Sequence, residues 1–512
     1  MSRLPRLPLL TRREFLRRLI ALSGAAATAS PLRTLAAIPN SSKPVHVIVI
    51  GAGLAGLCAA YELERRGHTV TTLEADTSHM GGRVRTLRFD NGLYGEAGAM
   101  RIPLRHQTTR HYVSVFGLPL RQFVHSNPNA YCFMRGERQR ISDVKALGRL
   151  YALRENERNK TPDDLWEAVV GNAASRMSES QKLDLLAETP QTSQVLALDR
   201  LSLQQLGEAA GFSDEAIEYM AVAGGAETLL SSAASEHVRE ELEQVWSQRF
   251  DEIIGGTDRL ASAFVARLKS KPKLGCQVTA LFQDSDRQRS GAIYTERGVA
   301  RRVEADFVLC TLPCPVLSRI EVRPRLSGPK ERAIRQLNYD SATKVLAITA
   351  RRFWEADDAI YGGGTYTDLP TGTTWYPSSN AEARDPLVSN RPAVLLASYS
   401  WGQAARRLAS LAHKERSSLV LRHLGRVHAQ LGQADLVQQT ASWSWDNHAL
   451  AGGAFAWFMP GQHAALHRHI VAPEGRIYFA GEHASLAHTW MQGALDSALR
   501  AVQEMLETGA RS

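Results

Sequence analysis

Val45-His46-Val47-Ile48-Val49-Ile50-Gly51-Ala52-Gly53-Leu54-Ala55-Gly56-Leu57-Cys58-Ala59-Ala60-Tyr61 decides the architecture. Its first six residues are largely β-branched and predict a buried strand. The residues from Leu54 to Arg66 predict a helix, which Gly67 ends. As one apolar run the stretch imitates a membrane span, but it is shorter than the roughly 20 residues a span needs, and its glycines fall at turn positions. Thr69 to Glu74 predicts a second strand, so the unit is βαβ.

Gly51-Ala52-Gly53-Leu54-Ala55-Gly56 has a chemical purpose in such a unit. A helix start must approach a dinucleotide pyrophosphate closely enough to present backbone N–H groups, and side chains would block that approach. The loop alone is weak evidence. Here a strand precedes it, a helix follows it, and Glu74 closes the second strand, where a carboxylate can accept the hydroxyl protons of an adenosine ribose. A carboxylate there argues against NADP.

The surrounding chain narrows the class. With 44% hydrophobic and 22% charged residues, the sequence is neither disordered, collagenous nor a disulfide framework. Its 512 residues make roughly three domains. The formal charge of +9 does not mark a nucleic-acid surface, because residues 1–37 hold seven arginines and one acid and so carry most of it. Within that basic segment, Thr11-Arg12-Arg13-Glu14-Phe15-Leu16 precedes an apolar, alanine-rich run from Leu19 to Ala29. It is similar to a twin-arginine export signal, cleaved after Ala29 or nearer Ala37. A periplasmic or secreted protein, exported folded by the twin-arginine machinery and without a transmembrane span in its mature form, is expected.

The five cysteines (58, 132, 276, 310, 314) form no disulfide pattern, and Cys310 and Cys314 lack a second ligand pair for zinc. They are read as buried small residues. His463, His467 and His469 are read as histidines of a solvated helix, and no metal is expected.

From about Gly136 to Phe250 the pattern turns helical. Thr161-Pro162-Asp163-Asp164 and Ser213-Asp214-Glu215 both look like capped helix starts. Strands are predicted at Gln277 to Phe282, Ala305 to Thr311, Lys344 to Thr349, Ala393 to Tyr399 and Arg476 to Ala480, and a closing helix from Met491 to about Glu507. The expected fold is α/β, with a Rossmann-like, glutathione-reductase-type dinucleotide domain interleaved with a mixed-sheet substrate domain and a helical insert. The expected segments are 1–37 for the leader; 45–90, 252–327 and 470–510 for the dinucleotide domain; 91–135 and 330–469 for the substrate domain; and 136–251 for the helical domain.

Two further motifs select the dinucleotide. Gly81-Gly82-Arg83-Val84-Arg85-Thr86 is a second glycine turn with a cation suited to a diphosphate, and Ile477-Tyr478-Phe479-Ala480-Gly481-Glu482 resembles the second motif of flavoproteins. Together with the first loop they resemble the flavin amine oxidase superfamily, which implies FAD. No cysteine stands near Gly481 to Gln492, so the FAD is expected to be non-covalent.

Gly95-Glu96-Ala97-Gly98-Ala99-Met100-Arg101-Ile102-Pro103 resembles the segment of L-amino-acid oxidases, bacterial and snake-venom, whose arginine pairs with the substrate α-carboxylate. A guanidinium presents two parallel donors that match a carboxylate. The resemblance runs on through Arg249 to Asp258, Lys344, Phe353-Trp354-Glu355, Thr367-Asp368-Leu369-Pro370, Trp443-Ser444-Trp445-Asp446, Ala451-Gly452-Gly453 and His488-Thr489-Trp490.

It implies FAD contacts at Gly51, Gly53, Leu54, Ala55, Gly56, Glu74, Ala75, Gly82, Arg83, Gly98, Ala99, Met100, Arg101, Val278, Trp443, Gly481, Glu482, Trp490, Met491, Gln492, Gly493 and Ala494. It implies substrate contacts at Arg101, Tyr399, Thr489 and Trp490, with Tyr376 as a rival to Tyr399, and a catalytic Lys344 that holds a water against the flavin. Counted back from Arg249, Glu240 stands where venom enzymes carry a histidine, with His237 nearby but offset, and Ala454 where they carry isoleucine, so the side-chain preference is open.

The implied reaction is FAD-dependent oxidative deamination of L-amino acids by O2 to 2-oxo acids, ammonia and hydrogen peroxide, in a homodimer. The alternatives are an amide-forming amino-acid 2-monooxygenase, an oxidase of carboxylate-free amines, and a catalytically silent FAD-binding sensor.

Overall fold

The structure, a computed structural model, describes residues 43–511 except residue 285, together with residues 34, 35 and 38. The twin-arginine stretch and the apolar run after it lie outside the described residues. Among the described residues no helix is long and apolar enough to cross a membrane.

The opening unit folds as strand β1 (His46–Ile50), helix α1 (Leu54–Arg65) and strand β2 (Thr69–Leu73). β1 lies between β2 and the strand Phe307–Cys310, with Ile477–Phe479 beyond, and all four run parallel. In register, Ile50 faces Leu73 on one side and Cys310 on the other, and Cys310 faces Phe479. The four strands therefore end together, and the loops that follow them leave from one edge, which is where open α/β sheets bind ligands. Buried residues along β1 alternate between two cores, Val47 and Val49 facing α1 and Ile48 and Ile50 facing a second sheet. That sheet is built on the antiparallel strands Cys276–Asp284, Arg289–Glu296 and Val299–Ala305.

A seven-stranded mixed sheet forms the other half. Its strand Ala342–Thr349, second from one edge, is buried at every residue and lies antiparallel to both Ala393–Trp401 and Val437–Ser444. Lys344 is opposite Tyr399 on one neighbour and Trp443 on the other. This sheet ends in a hairpin, Tyr131–Met134 with Glu137–Arg140. The first residues of the segment expected to be helical thus belong to a strand. Arg135 and Gly136 both take positive φ, 48° and 89°, as a two-residue hairpin turn demands.

Beyond the hairpin the helices appear. Thr161 and Asp164 make a reciprocal capping box, and the helix Asp214–Gly224 is capped by Ser213 and closed by Gly225 at φ 67°. Helix α2 (Ala234–Leu242) ends this segment, and helix α3 (Met491–Arg511) packs on α1 through Leu495, Leu499 and Val502.

The five cysteines are free and buried. His463 and His467 correct one expectation: their helix, Gln462–Val471, is not a solvated one, since both rings are buried against Phe458. Among the described residues, no cluster of three or more His, Cys, Asp or Glu is placed to hold a metal.

Candidate active site

One large cavity of about 700 Å³ begins at the common edge of the parallel strands and runs to the seven-stranded sheet and the helical segment. At its first end Gly51 turns the chain at φ 98° and donates its N–H to Leu73 O at 2.8 Å. A Cβ on Gly56 would sit 2.0 Å from Gly51 O. Gly56 is therefore required for the closeness of helix and loop, although it does not itself line the cavity. No side chain caps α1 at Gly53, so its first-turn N–H groups are available to an anion. Glu74 accepts the N–H groups of Ala52 and Asp76 at 2.7 and 2.8 Å, which ties β2 to the loop. Burial pushes its carboxyl above the usual range, and those hydrogen bonds oppose the rise.

Arg83 and Glu482, read from separate motifs, form an ion pair at 2.8 Å in which Glu482 is buried and Arg83 partly so. Arg83 also donates to Ala454 O at 3.2 Å, and Glu482 takes the N–H groups of Ala456 and Thr489 at 3.0 and 3.1 Å. Thr489 is thereby held at φ 70°, a left-handed conformation rare outside glycine. A Cβ on Gly98 would lie 1.9 Å from Arg83 O, so the Gly95–Pro103 segment presses directly on the second glycine turn.

Lys344 is buried and donates to Gly98 O at 2.7 Å and Glu96 O at 3.1 Å, with its ammonium 4.3 Å from the centre of the Tyr399 ring. Burial lowers its pKa, and the neighbouring Glu96 carboxylate opposes that. Burial raises Glu96 in turn, against hydrogen bonds from Thr257 N–H and the Thr86 hydroxyl.

Arg101 is 8% exposed and enclosed by five rings: Trp246 and Trp375 at 4.9 Å, Phe250 at 5.7 Å, Phe123 at 5.9 Å and Trp490 at 6.0 Å from its guanidinium carbon. Its Nη1 has no hydrogen-bond partner, and among the described residues it makes no ion pair. A buried charge without an ion-pair partner is costly; burial lowers the Arg101 pKa, against the opposing influence of Tyr399, Tyr366 and Glu240. The arrangement is suited to an incoming anion.

The sequence profile described as flavin containing amine oxidoreductase matches residues 54–506. The chain is a flavin-containing amine oxidoreductase. Its cofactor is FAD, and the glycine cradle, the uncapped α1 and the Arg83–Glu482 pair fit that group. A Bacillus subtilis protein assigned provisionally as an L-amino-acid oxidase is 35% identical to the oxidoreductase over 91% of this chain and 95% of its own. L-Amino-acid oxidases of the fish Siganus canaliculatus and the viper Vipera ammodytes ammodytes are 32% and 31% identical over 91% of this chain and 86% and 94% of theirs. A putrescine oxidase superposes with a TM-score of 0.71, at 19% identity, over 91% of this chain and 99% of its own, and shares the fold.

Most residues expected at the oxidoreductase's site line the cavity, among them Ala75, Val278, Tyr399, Thr489, Trp490, Met491 and Ala494. Trp443, Gln492 and Gly493 do not. Trp443 lies beneath the Arg85 guanidinium at 4.4 Å and against Trp445. The Gln492 amide is used by Thr108, Thr109 and Asp496. Gly493 provides closeness, since a Cβ there would lie 2.2 Å from Ala487 O. Tyr376, the rival to Tyr399, does not line the cavity either: its buried hydroxyl is engaged by Thr365 at 2.8 Å and His428 at 2.6 Å.

Of the rings around Arg101 only Trp490 was expected at the site; Phe123, Trp246, Phe250 and Trp375 were missed, along with Tyr366 and His125, which line the same cavity. For Tyr366 and Trp375 a local signal exists: Thr365-Tyr366-Thr367 and Thr373-Thr374-Trp375-Tyr376, runs of threonine and aromatic residues on either side of Gly372, form the paired strands Gly363–Thr367 and Thr373–Tyr376.

Proposed function

We propose that this oxidoreductase deaminates L-amino acids oxidatively, taking up O2 and water and releasing a 2-oxo acid, ammonia and hydrogen peroxide. The observation that carries this reading is Arg101: a guanidinium with an unused donor, boxed by aromatic rings and facing the cavity, matches a carboxylate and leaves a plain amine poorly served. Full-length relatedness to L-amino-acid oxidases supports it.

Bound FAD supplies a two-electron acceptor that is reoxidised by O2. The chain supplies geometry. Arg101 grips the carboxylate, the Tyr399 hydroxyl adds a second donor, and Trp490 walls the site from water. Lys344, with a depressed pKa, holds or releases a proton at Nζ close to the reacting atoms. The substrate amine must be neutral for its lone pair to assist loss of the α-hydrogen, so no strong side-chain base is needed. FAD is held without a covalent bond, since no cysteine lies between Gly481 and Gln492. The Thr11–Leu16 motif supports export in the folded state to the periplasm or beyond.

Screening the twenty L-amino acids and their decarboxylated amines for peroxide, with mass spectrometry of the product, tests the reading. Oxo acid and peroxide from the acids alone are expected. An amide product would identify a monooxygenase instead, and equal turnover of the decarboxylated amines would overturn the role of Arg101.

A further inference from the structure

The helical segment contributes charge of one sign to the cavity wall. Between residues 162 and 246 it supplies Asp163, Glu227, Glu240 and Glu241 and no lysine or arginine, in a chain whose formal charge is +9. Facing them in the same cavity is Arg101, more than nine-tenths buried, with a free donor. A ligand matching both has the reverse polarity: an anionic end for Arg101 and a cationic end for the acids.

Glu240 is the acid closest to the chemistry. It sits on the last full turn of α2 and accepts the indole N–H of Trp246 at 2.6 Å on one oxygen and that of Trp490 at 2.9 Å on the other. Those two indoles lie 5.4 Å apart and both face the Arg101 guanidinium. The carboxylate is thus one indole away from the carboxylate clamp. A carboxylate offers about four lone-pair sites. Two of Glu240's are used by the indoles, the residue lines the cavity, and no lysine or arginine pairs with it among the described residues. Burial and the nearby Glu236 and Glu243 make its ionised form costly, a cost that a bound cation relieves. The indole faces around it favour the same kind of ligand through cation–π attraction.

We propose that Glu240 determines side-chain specificity, and that the preferred substrates are L-amino acids whose side chain ends in a cation. The α-carboxylate then lies on Arg101, and the side-chain ammonium or guanidinium reaches Glu240 between Trp246 and Trp490. This rests on the L-amino-acid reading above and adds the side chain to it.

The test compares kcat/KM of the FAD-loaded enzyme for matched pairs that differ in side-chain charge: L-arginine with L-citrulline, and L-lysine with L-norleucine. The charged member is expected to be preferred at least about tenfold, the lower end for a charge-assisted hydrogen bond, and the ratio should shrink toward unity in Glu240→Gln. General damage to the fold would lower both members of a pair and leave their ratio intact. Equal use of charged and neutral members by the wild-type enzyme overturns the proposal, and that comparison needs no variant. A preference that survives Glu240→Gln overturns the role given to this residue. Agmatine and cadaverine, which keep the cation and lack the carboxylate, separate the two readings: their turnover at the rate of the parent acids would remove the carboxylate clamp, whereas indifference to side-chain charge among acids removes this proposal alone.

Discussion

Arg101 and Lys344 line the same cavity and carry their charge in opposite surroundings. Arg101 keeps its charge and lacks a partner; Lys344 has partners, and burial draws down its affinity for a proton. Replacing Arg101 by Ala should lower kcat/KM for L-amino acids by about 10- to 150-fold, since a charge-assisted contact is worth about 1.5–3 kcal/mol. Steady-state peroxide assays check this, and a change within a few-fold would refute the clamp. Lys344→Met should slow flavin chemistry, as resolved by stopped-flow reduction under anaerobic conditions and by reoxidation with O2; two unchanged rates would remove the role assigned to Lys344. At this scale Arg101 was legible through the resemblance carried by Gly95–Pro103, and Lys344 through the family resemblance together with the strand that holds it. The aromatic box, Trp490 apart, was not, because Phe123, the neighbouring Trp246 and Phe250, Trp375 and Trp490 come from four separate segments and meet only through packing.

Among the elements, the βαβ unit was the most readable part, since periodicity and glycine placement agree there and the steric demand is local. Gly56→Val carries that demand into an experiment. Even its Cβ would lie 2.0 Å from Gly51 O, so the loop must move. We expect purified protein with a reduced ratio of flavin to protein absorbance and a lower Tm, while full flavin loading would show that the loop tolerates displacement. Two elements were misread for identifiable reasons. The strand Glu137–Arg140 is polar along its length and depends on its hairpin turn rather than on hydrophobic alternation. The histidines of Gln462–Val471 are buried by Phe458, and nothing within that helix announces the contact.

For the molecule as a whole, Glu236 joins the helical segment to the C-terminal region. It accepts from His488 at 2.8 Å, Arg239 at 2.9 Å and Phe458 N–H at 3.1 Å. Burial opposes its ionisation, but these partners prevail and hold the carboxyl down to about 2. A folded pKa below the ordinary value of 4.5 means that the stabilisation is complete above that pH and drains as pH falls from 4.5 toward 2. Urea midpoints measured across this interval should fall steeply for the wild type and less steeply for Glu236→Gln; parallel slopes would exclude the linkage. On the same scale, replacing Arg12 and Arg13 together by Lys should leave precursor in the cytoplasm, as fractionation would show.

The common edge of the parallel sheet has a consequence for biogenesis. Its glycine loop follows β1 near the start of the chain, while Gly481 and Glu482 follow a strand close to its end. Some 430 residues separate Gly51 from Gly481, so the nascent chain cannot close the cradle around FAD until its second half has been made. For a chain exported folded, as proposed above, flavin uptake must precede the passage, so a carrier that accepts only folded cargo would in effect also inspect for a bound flavin.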